Sequence, residues 1–261
     1  SNLWGFPFFF SQTFSLLLKN ALGKKNADYG LYYNNTFVGS ATRGSHMELH
    51  DSSYNIVENN TFYYVRFGLA IHDSSVHNIL RYNTLVFSSN GTTSLGEVGL
   101  TVGSHSADNV LFGNYVSDYK HGIVFRCRYN DVSPTACEDN TIENNTVDDS
   151  KYGITLYINA TNNVIIDNVV RNSEKYGIYI QASASSNTFI DNRVSNSDDY
   201  DLFVEDIPSG VLTLVDDKTD LGNKRIVSGV EITVNYPVNQ TVVVNAKHSD
   251  TVPIFLSRFK R

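Results

Sequence analysis

Residues 140–162 read NTIENNTVDDSKYGITLYINATN, and residues 163–186 repeat the phrase as NVIIDNVVRNSEKYGIYIQASASS. Each copy holds an Asn, a second Asn after a short apolar run, a polar corner, and a closing Gly-Ile-x-apolar run. The phrase returns as NNTFYYVRFGLAIHDSSVHN (59–78), NVLFGNYVSDYKHGIVF (109–125) and NTFIDNRVSNSDDYDLFVED (187–206). Its opening asparagines are Asn55, Asn78, Asn109, Asn140, Asn163 and Asn187, at steps of 23, 31, 31, 23 and 24 residues. A unit near 23 residues, twice lengthened by about 8, is one coil repeated with two loop insertions. Such a period marks a solenoid, in which each unit buries its apolar face only against its neighbours.

Within a unit, apolar and polar residues alternate in short runs bounded by Asn, Ser, Asp and Gly, which is strand patterning with turn chemistry between the runs. Runs as short as Ile123-Val124-Phe125 are too short for helices. Three short strands per unit, stacked in phase, predict an all-β, right-handed parallel β-helix of about seven coils over residues 34–206. Asn at a fixed corner tolerates left-handed backbone angles and can bond to its counterpart one coil away. Gly68, Gly99, Gly122, Gly153 and Gly177 mark a corner where a side chain is costly. Leu69/Ile71, Leu100/Val102, Ile123/Phe125, Ile154/Leu156 and Ile178/Ile180 point inward.

Outside the repeat, the apolar opening GFPFFFSQTFSLLLKNAL is a poor signal peptide, because polar residues interrupt it and no positive start precedes it. Residues 1–33 are expected to form an N-terminal cap over the open end of the solenoid. Residues 207–261, where the repeat fades, are expected to be a C-terminal cap or the start of a further β module, with two strands around a Pro-Val-Asn turn. RGSHM at 43–47 matches an expression-tag scar, but its flanks align with the next coil, so it is read as native.

The net charge of −7, from 20 basic and 27 acidic residues, argues against nucleic acid as a partner. No segment is long and apolar enough to span a membrane. Cys127 and Cys137 flank one inserted loop and point to a disulfide, with two unpaired thiols as the alternative. Sequons fall at Asn34, Asn59, Asn90, Asn144, Asn159 and Asn239; the first, second and fourth coincide with the Asn corner, leaving Asn90, Asn159 and Asn239 as glycosylation candidates. These features favour an extracellular or cell-surface protein. Self-assembly, or membership of a larger parent protein, stays open.

The outward residues after the Gly-Ile-x-Ile strand read His50, His72, Gly103, Arg126, Tyr157, Gln181 and Glu205 down the helix. Two positions earlier the column reads Glu48, Ala70, Thr101, Val124, Thr155, Tyr179 and Phe203. Coils stack roughly 4.8 Å apart, so His50 and His72 are neighbours and Arg126 lies about 14 Å from His50, a span of a few sugar residues. His, Asp, Arg and Tyr in one groove are the tools for proton transfer at a carbon beside a carboxylate. Arg126 or Arg128 can neutralise a uronate carboxylate and acidify the adjacent C–H. His50 or His72 can remove that proton, and Tyr157 or the other His can return one to the opposite face. Glu48, Asp51, Asp73, His121 and Tyr179 complete the candidate substrate contacts. The HDSS repeat also has a plainer reading, a polar turn whose Asp caps backbone amides. No metal-ligand set is legible; calcium is kept as a candidate cofactor.

The stretches DYKHGIVFRCRYND (118–131) and SKYGITLYINATNNVIIDNVV (150–170) resemble the β-helix of mannuronan C5-epimerases and the wider carbohydrate-binding/sugar-hydrolase repeat class. The resemblance spans residues 34–206. It implies an Asp-Pro-His-Asp/Glu motif at a strand end, where this chain reads Glu48-Leu49-His50-Asp51, with Glu for the first Asp and no Pro. It also implies a Lys/Arg-His-Gly element, matched by Lys120-His121-Gly122. No Gly-His-Gly or Asn-Thr-Asp of pectinase-type hydrolases occurs. Two classes remain: a uronate C5-epimerase or lyase-like enzyme on acidic polysaccharide, or a non-catalytic β-helix rod of a cell-surface, filament, spike or adhesion protein. Outward aromatics at Tyr152, Tyr176, Tyr179 and Phe203 can stack on sugars in either. The acidic composition and the altered motif favour the rod; the His/Arg/Tyr column favours the enzyme.

Overall fold

The structure, a computed structural model, describes residues 26–39, 47–87, 95–127, 136–157, 159–181, 184 and 186–204 in full, and the strands of 9–25, 129–134 and 210–254 by their backbone course. Arg128, Asn90, Asn239 and residues 43–46 lie outside the described residues. Among those described there is no helix.

The repeat winds into a right-handed parallel β-helix with three sheets, each taking one strand per coil. Seven coils run from Leu31–Tyr33 to Tyr200–Val204. The register matches the alignment of the repeats: Ile79 pairs with Val110, and His50 with His72. Beyond these coils, strands Phe9–Phe10, Ser15–Leu17 and Leu22–Lys25 add a parallel strand to each sheet. Leu31–Tyr33, the first strand of the seven coils, thus has a parallel neighbour on its N-terminal side. The two strands around the Pro-Val-Asn turn are not each other's partners: Val230–Val234 pairs with Gly210–Val215 and Val242–Asn245 with Lys224–Val227, in different sheets.

The core is a set of apolar columns, and every inward residue named from the repeat, Leu69 to Ile180, is buried. Met47, beside the tag-like stretch, is fully buried and in register with Leu69, so it fills a core position. The disulfide between Cys127 and Cys137 is present, with Cα atoms 5.6 Å apart, and closes the inserted loop.

The corners divide two jobs that the sequence assigned to one Asn. Asn78, Asn109, Asn140 and Asn163 are buried and form a ladder in which each side-chain oxygen accepts from the backbone and side-chain N–H of the Asn one coil before. A second ladder runs through Asn60, Asn83, Asn114, Asn145, Asn168 and Asn192. The left-handed backbone falls one residue earlier, at His77, Asp108, Asp139 and Asn162, and at Asn59, Tyr82, Gly113 and Asn144 for the second ladder. The third corner is steric: a Cβ on Gly122 would lie 2.3 Å from Val147 and 2.7 Å from the Gly153 carbonyl.

Candidate functional site

The site forms on the outer face of the third sheet, whose strands include Met47–His50, Phe67–His72, Gly96–Gly103, Tyr119–Arg126, Tyr152–Leu156 and Tyr176–Ile180. Small residues on the middle coils, Ala70, Thr101 and Gly103, leave a depression. A cleft of about 410 Å³ results, lined among others by Glu48, His50, His72, Asp73, Ser104 and Arg126. The imidazole of His72 lies over Gly103, where any Cβ would collide with its Nδ1. Thus His50, His72, Glu48, Asp73 and Arg126 are brought together. Asp51 takes a left-handed corner and does not line the cleft.

His50 is held at both ring nitrogens: Nε2 lies 2.6 Å from Glu48 Oε2 and Nδ1 3.0 Å from Asp73 Oδ2. Partial burial opposes its charged form, but the hydrogen bonds and charges of the two carboxylates outweigh this and raise its pKa above the usual imidazole range. A carboxylate at each ring nitrogen favours the charged form of His50. Its ring sits 5.4 Å from that of His72.

Beyond Arg126 the face is aromatic. His121, in register with Val98 and Tyr152, is buried, and its Nε2 lies 3.4 Å from the Tyr157 hydroxyl while Nδ1 is 3.5 Å from Thr155 Oγ1. Burial, then the cations Lys120 and Arg126, lower its pKa to about 4, so it is neutral at ordinary pH. A neutral imidazole can accept the phenolic proton of Tyr157. This His121–Tyr157 pair was missed in the sequence, which placed His121 only among substrate contacts. Tyr179 stands 6.2 Å from Tyr157 and 5.8 Å from Tyr152, ring to ring. Val124 and Thr155 sit on an outer face yet are almost inaccessible. Arg126 is exposed and has no ion-pair partner among the described residues.

The glycosylation candidate Asn159 occupies a left-handed corner with φ 63°, and its side-chain nitrogen is buried without a partner.

Residues 88–214 match the family described as periplasmic copper-binding protein (NosD). That stretch has His105 and His121 as its histidines, no Met, and both cysteines in the disulfide. The described residues bring no three His, Cys, Asp or Glu together as a metal site, so they do not fit a copper centre. No curated protein matches the sequence. Among solved structures, a variant of the periplasmic alginate epimerase AlgG is similar at 16% identity and TM-score 0.52, over 81% of this chain and 49% of that one. AlgG itself aligns at 14% identity and TM-score 0.50, over 83% and 59%. The Dettilon tailspike protein aligns at 13% identity and TM-score 0.52, over 89% and 61%. This chain spans about half to three-fifths of the length of these structures. At such identities the likeness is one of fold: the chain is a parallel β-helix repeat protein, of the architecture that an alginate epimerase and a tailspike share.

Proposed function

We propose that this protein is exported and acts on acidic polysaccharide, with the third-sheet cleft carrying proton transfer beside a uronate carboxylate. The observation that carries the reading is Arg126, a cation without an ion-pair partner among the described residues, in one cleft with His72 and beside the neutral His121–Tyr157 pair. Arg126 binds the carboxylate and stabilises the charge that spreads onto it when the C5 proton leaves. His72 takes that proton. In epimerisation the other histidine, His50, whose ring lies 5.4 Å from that of His72, returns a proton to the opposite face. In elimination the C4–O bond breaks as the C4–C5 double bond forms, and His50 protonates the departing oxygen. The disulfide supports export, since such bonds persist in oxidising compartments.

The engagement of His50 by Glu48 and Asp73 favours a second reading, a rod that binds glycan without turnover. Incubation with polymannuronate or pectate in heavy water separates the two. Solvent deuterium at C5 reports epimerisation, and ultraviolet absorbance of the unsaturated uronate reports elimination. On the enzyme reading, His72→Ala abolishes the signal with polymer binding retained, because proton transfer matters only in the transition state. Arg126→Ala weakens binding as well. Neither signal, with calcium or without it, leaves the rod as the account.

A further inference from the structure

Away from the cleft, the same face carries a second ordered array. His121, Tyr152, Tyr176 and Tyr200 stand in register, one per coil. The residues just before them are Lys120, Lys151, Lys175 and Asp199, so three lysines stack along the axis. Lys151 Nζ lies 5.8 Å from the centre of the Tyr152 ring, and Lys175 Nζ lies 4.8 Å from that of Tyr176 and 5.9 Å from that of Tyr152. The rings continue through Tyr176 and Phe203, stacked at 4.4 Å. None of the three lysines forms an ion pair among the described residues.

Elsewhere three arginines each face an acid across the coils. Arg81 meets Glu58 at 2.8 Å, Arg66 meets Glu97 at 2.9 Å, and Arg171 meets Asp148 at 2.7 Å. Like charges directly opposite each other destabilise a sheet. The lysine column has no such acid among the described residues, and an anion laid along it supplies the missing counter-charge. Coil spacing of roughly 4.8 Å is about the length of one pyranose residue in an extended chain. Tyrosine faces take sugar rings, and lysines take the acid groups.

We propose that this strip is a binding track for several successive residues of a polyuronate chain, with one carboxylate per lysine step. The inference deepens the function proposed above, because the strip starts at His121 beside the cleft, but it concerns binding and is measurable without turnover. Calorimetric titration of the full chain with size-defined oligouronates tests it. Affinity is expected to rise from dimer to hexamer. Lys151→Ala combined with Lys175→Ala should weaken hexamer binding about tenfold, from up to about fivefold for each exposed ion pair, and leave the dimer unchanged. A carboxyl-reduced, neutral hexamer should bind wild type more weakly still than the charged hexamer binds the double variant, which keeps Lys120. Added salt should narrow the difference. Equal hexamer affinity for wild type and double variant, or no gain with length, overturns the track. Length-dependent binding with neither deuterium uptake nor unsaturated product would remove the proton-transfer reading and keep the track; either signal without length dependence would do the reverse.

Discussion

Asn140→Ala tests the ladder at its middle. The side chain of Asn140 donates to the Ser106 carbonyl at 3.0 Å, to the Glu138 carbonyl at 2.9 Å and to Asn163 Oδ1 at 3.0 Å. Its oxygen accepts the backbone N–H and the side-chain N–H of Asn109, both at 3.0 Å. Alanine removes all five contacts. Asn109 Nδ2 keeps the Ser75 and Ala107 carbonyls, and Asn163 Oδ1 keeps the backbone N–H of residue 140. The buried Asn109 N–H and the Ser106 carbonyl lose these bonds. At about 1–3 kcal/mol for each buried group left unsatisfied, the loss is about 3–5 kcal/mol. Asn144→Ala, at an exposed left-handed corner with φ 53°, should cost only about 1–2 kcal/mol, the backbone penalty of a Cβ there. Asn140→Asp keeps the acceptor but loses the donors and buries a charge, so it should be at least as harmful as alanine. Urea unfolding without reductant measures all three. If Asn140→Ala costs no more than Asn144→Ala, or if Asn140→Asp is neutral, the ladder is not a main source of stability and the division of labour at the corners is wrong.

Ile154→Asp puts a carboxylate at a fully buried position and should cost several kcal/mol in the same assay, whereas Asn159→Gly removes a buried amide without a partner at φ 63° and should be neutral or stabilising; similar losses would mean that the faces are misassigned. His121 stays neutral in the fold down to about 4, while the unfolded chain protonates near the ordinary 6.5. The unfolded state thus binds more protons in that window, and stability should fall by about 3 kcal/mol as pH drops through it. His121→Gln should flatten that slope; an unchanged slope would rule out a buried neutral imidazole. His50 acts in the opposite sense, because its raised pKa gives stability that is present below 6.5 and lost as pH rises through the folded value. Glu48→Gln with Asp73→Asn should remove this loss and bring the His50 resonances, followed by NMR titration, to a lower midpoint.

The period, the faces and the axial register were legible because a solenoid repeats its rules each coil, so an alignment of units already places His50 beside His72 and Arg126 three coils away. The corners were less so. Pairs such as Asn59-Asn60 and Asn144-Asn145 put the left-handed residue and the ladder residue side by side with the same side chain, and composition cannot separate them. The His121–Tyr157 pair was hidden for a different reason. Alternation counted back from Ile123 puts Gly122 outside and His121 inside. The chain bends at that glycine, so its Cα faces Val147 in the core and His121 turns out. The state of His50 was hidden too, because one of its two carboxylates, Asp73, arrives from the next coil.

The net charge of −7 counted against a polyuronate partner when read from composition alone. The fold weakens that objection by sorting charge among faces. On the third sheet Lys120, Lys151, Lys175 and Arg126 project without ion-pair partners among the described residues, whereas Arg66, Arg81 and Arg171 are each matched to an acid. At physiological salt a charge is felt over about 8 Å, which is less than two coil steps. A chain lying on the strip therefore meets the lysine column, and carboxylates around the far corners are screened from it. The excess of acid governs solubility and long-range approach. The local column governs what can stay bound, so an acidic protein can hold an acidic polymer on one ordered face.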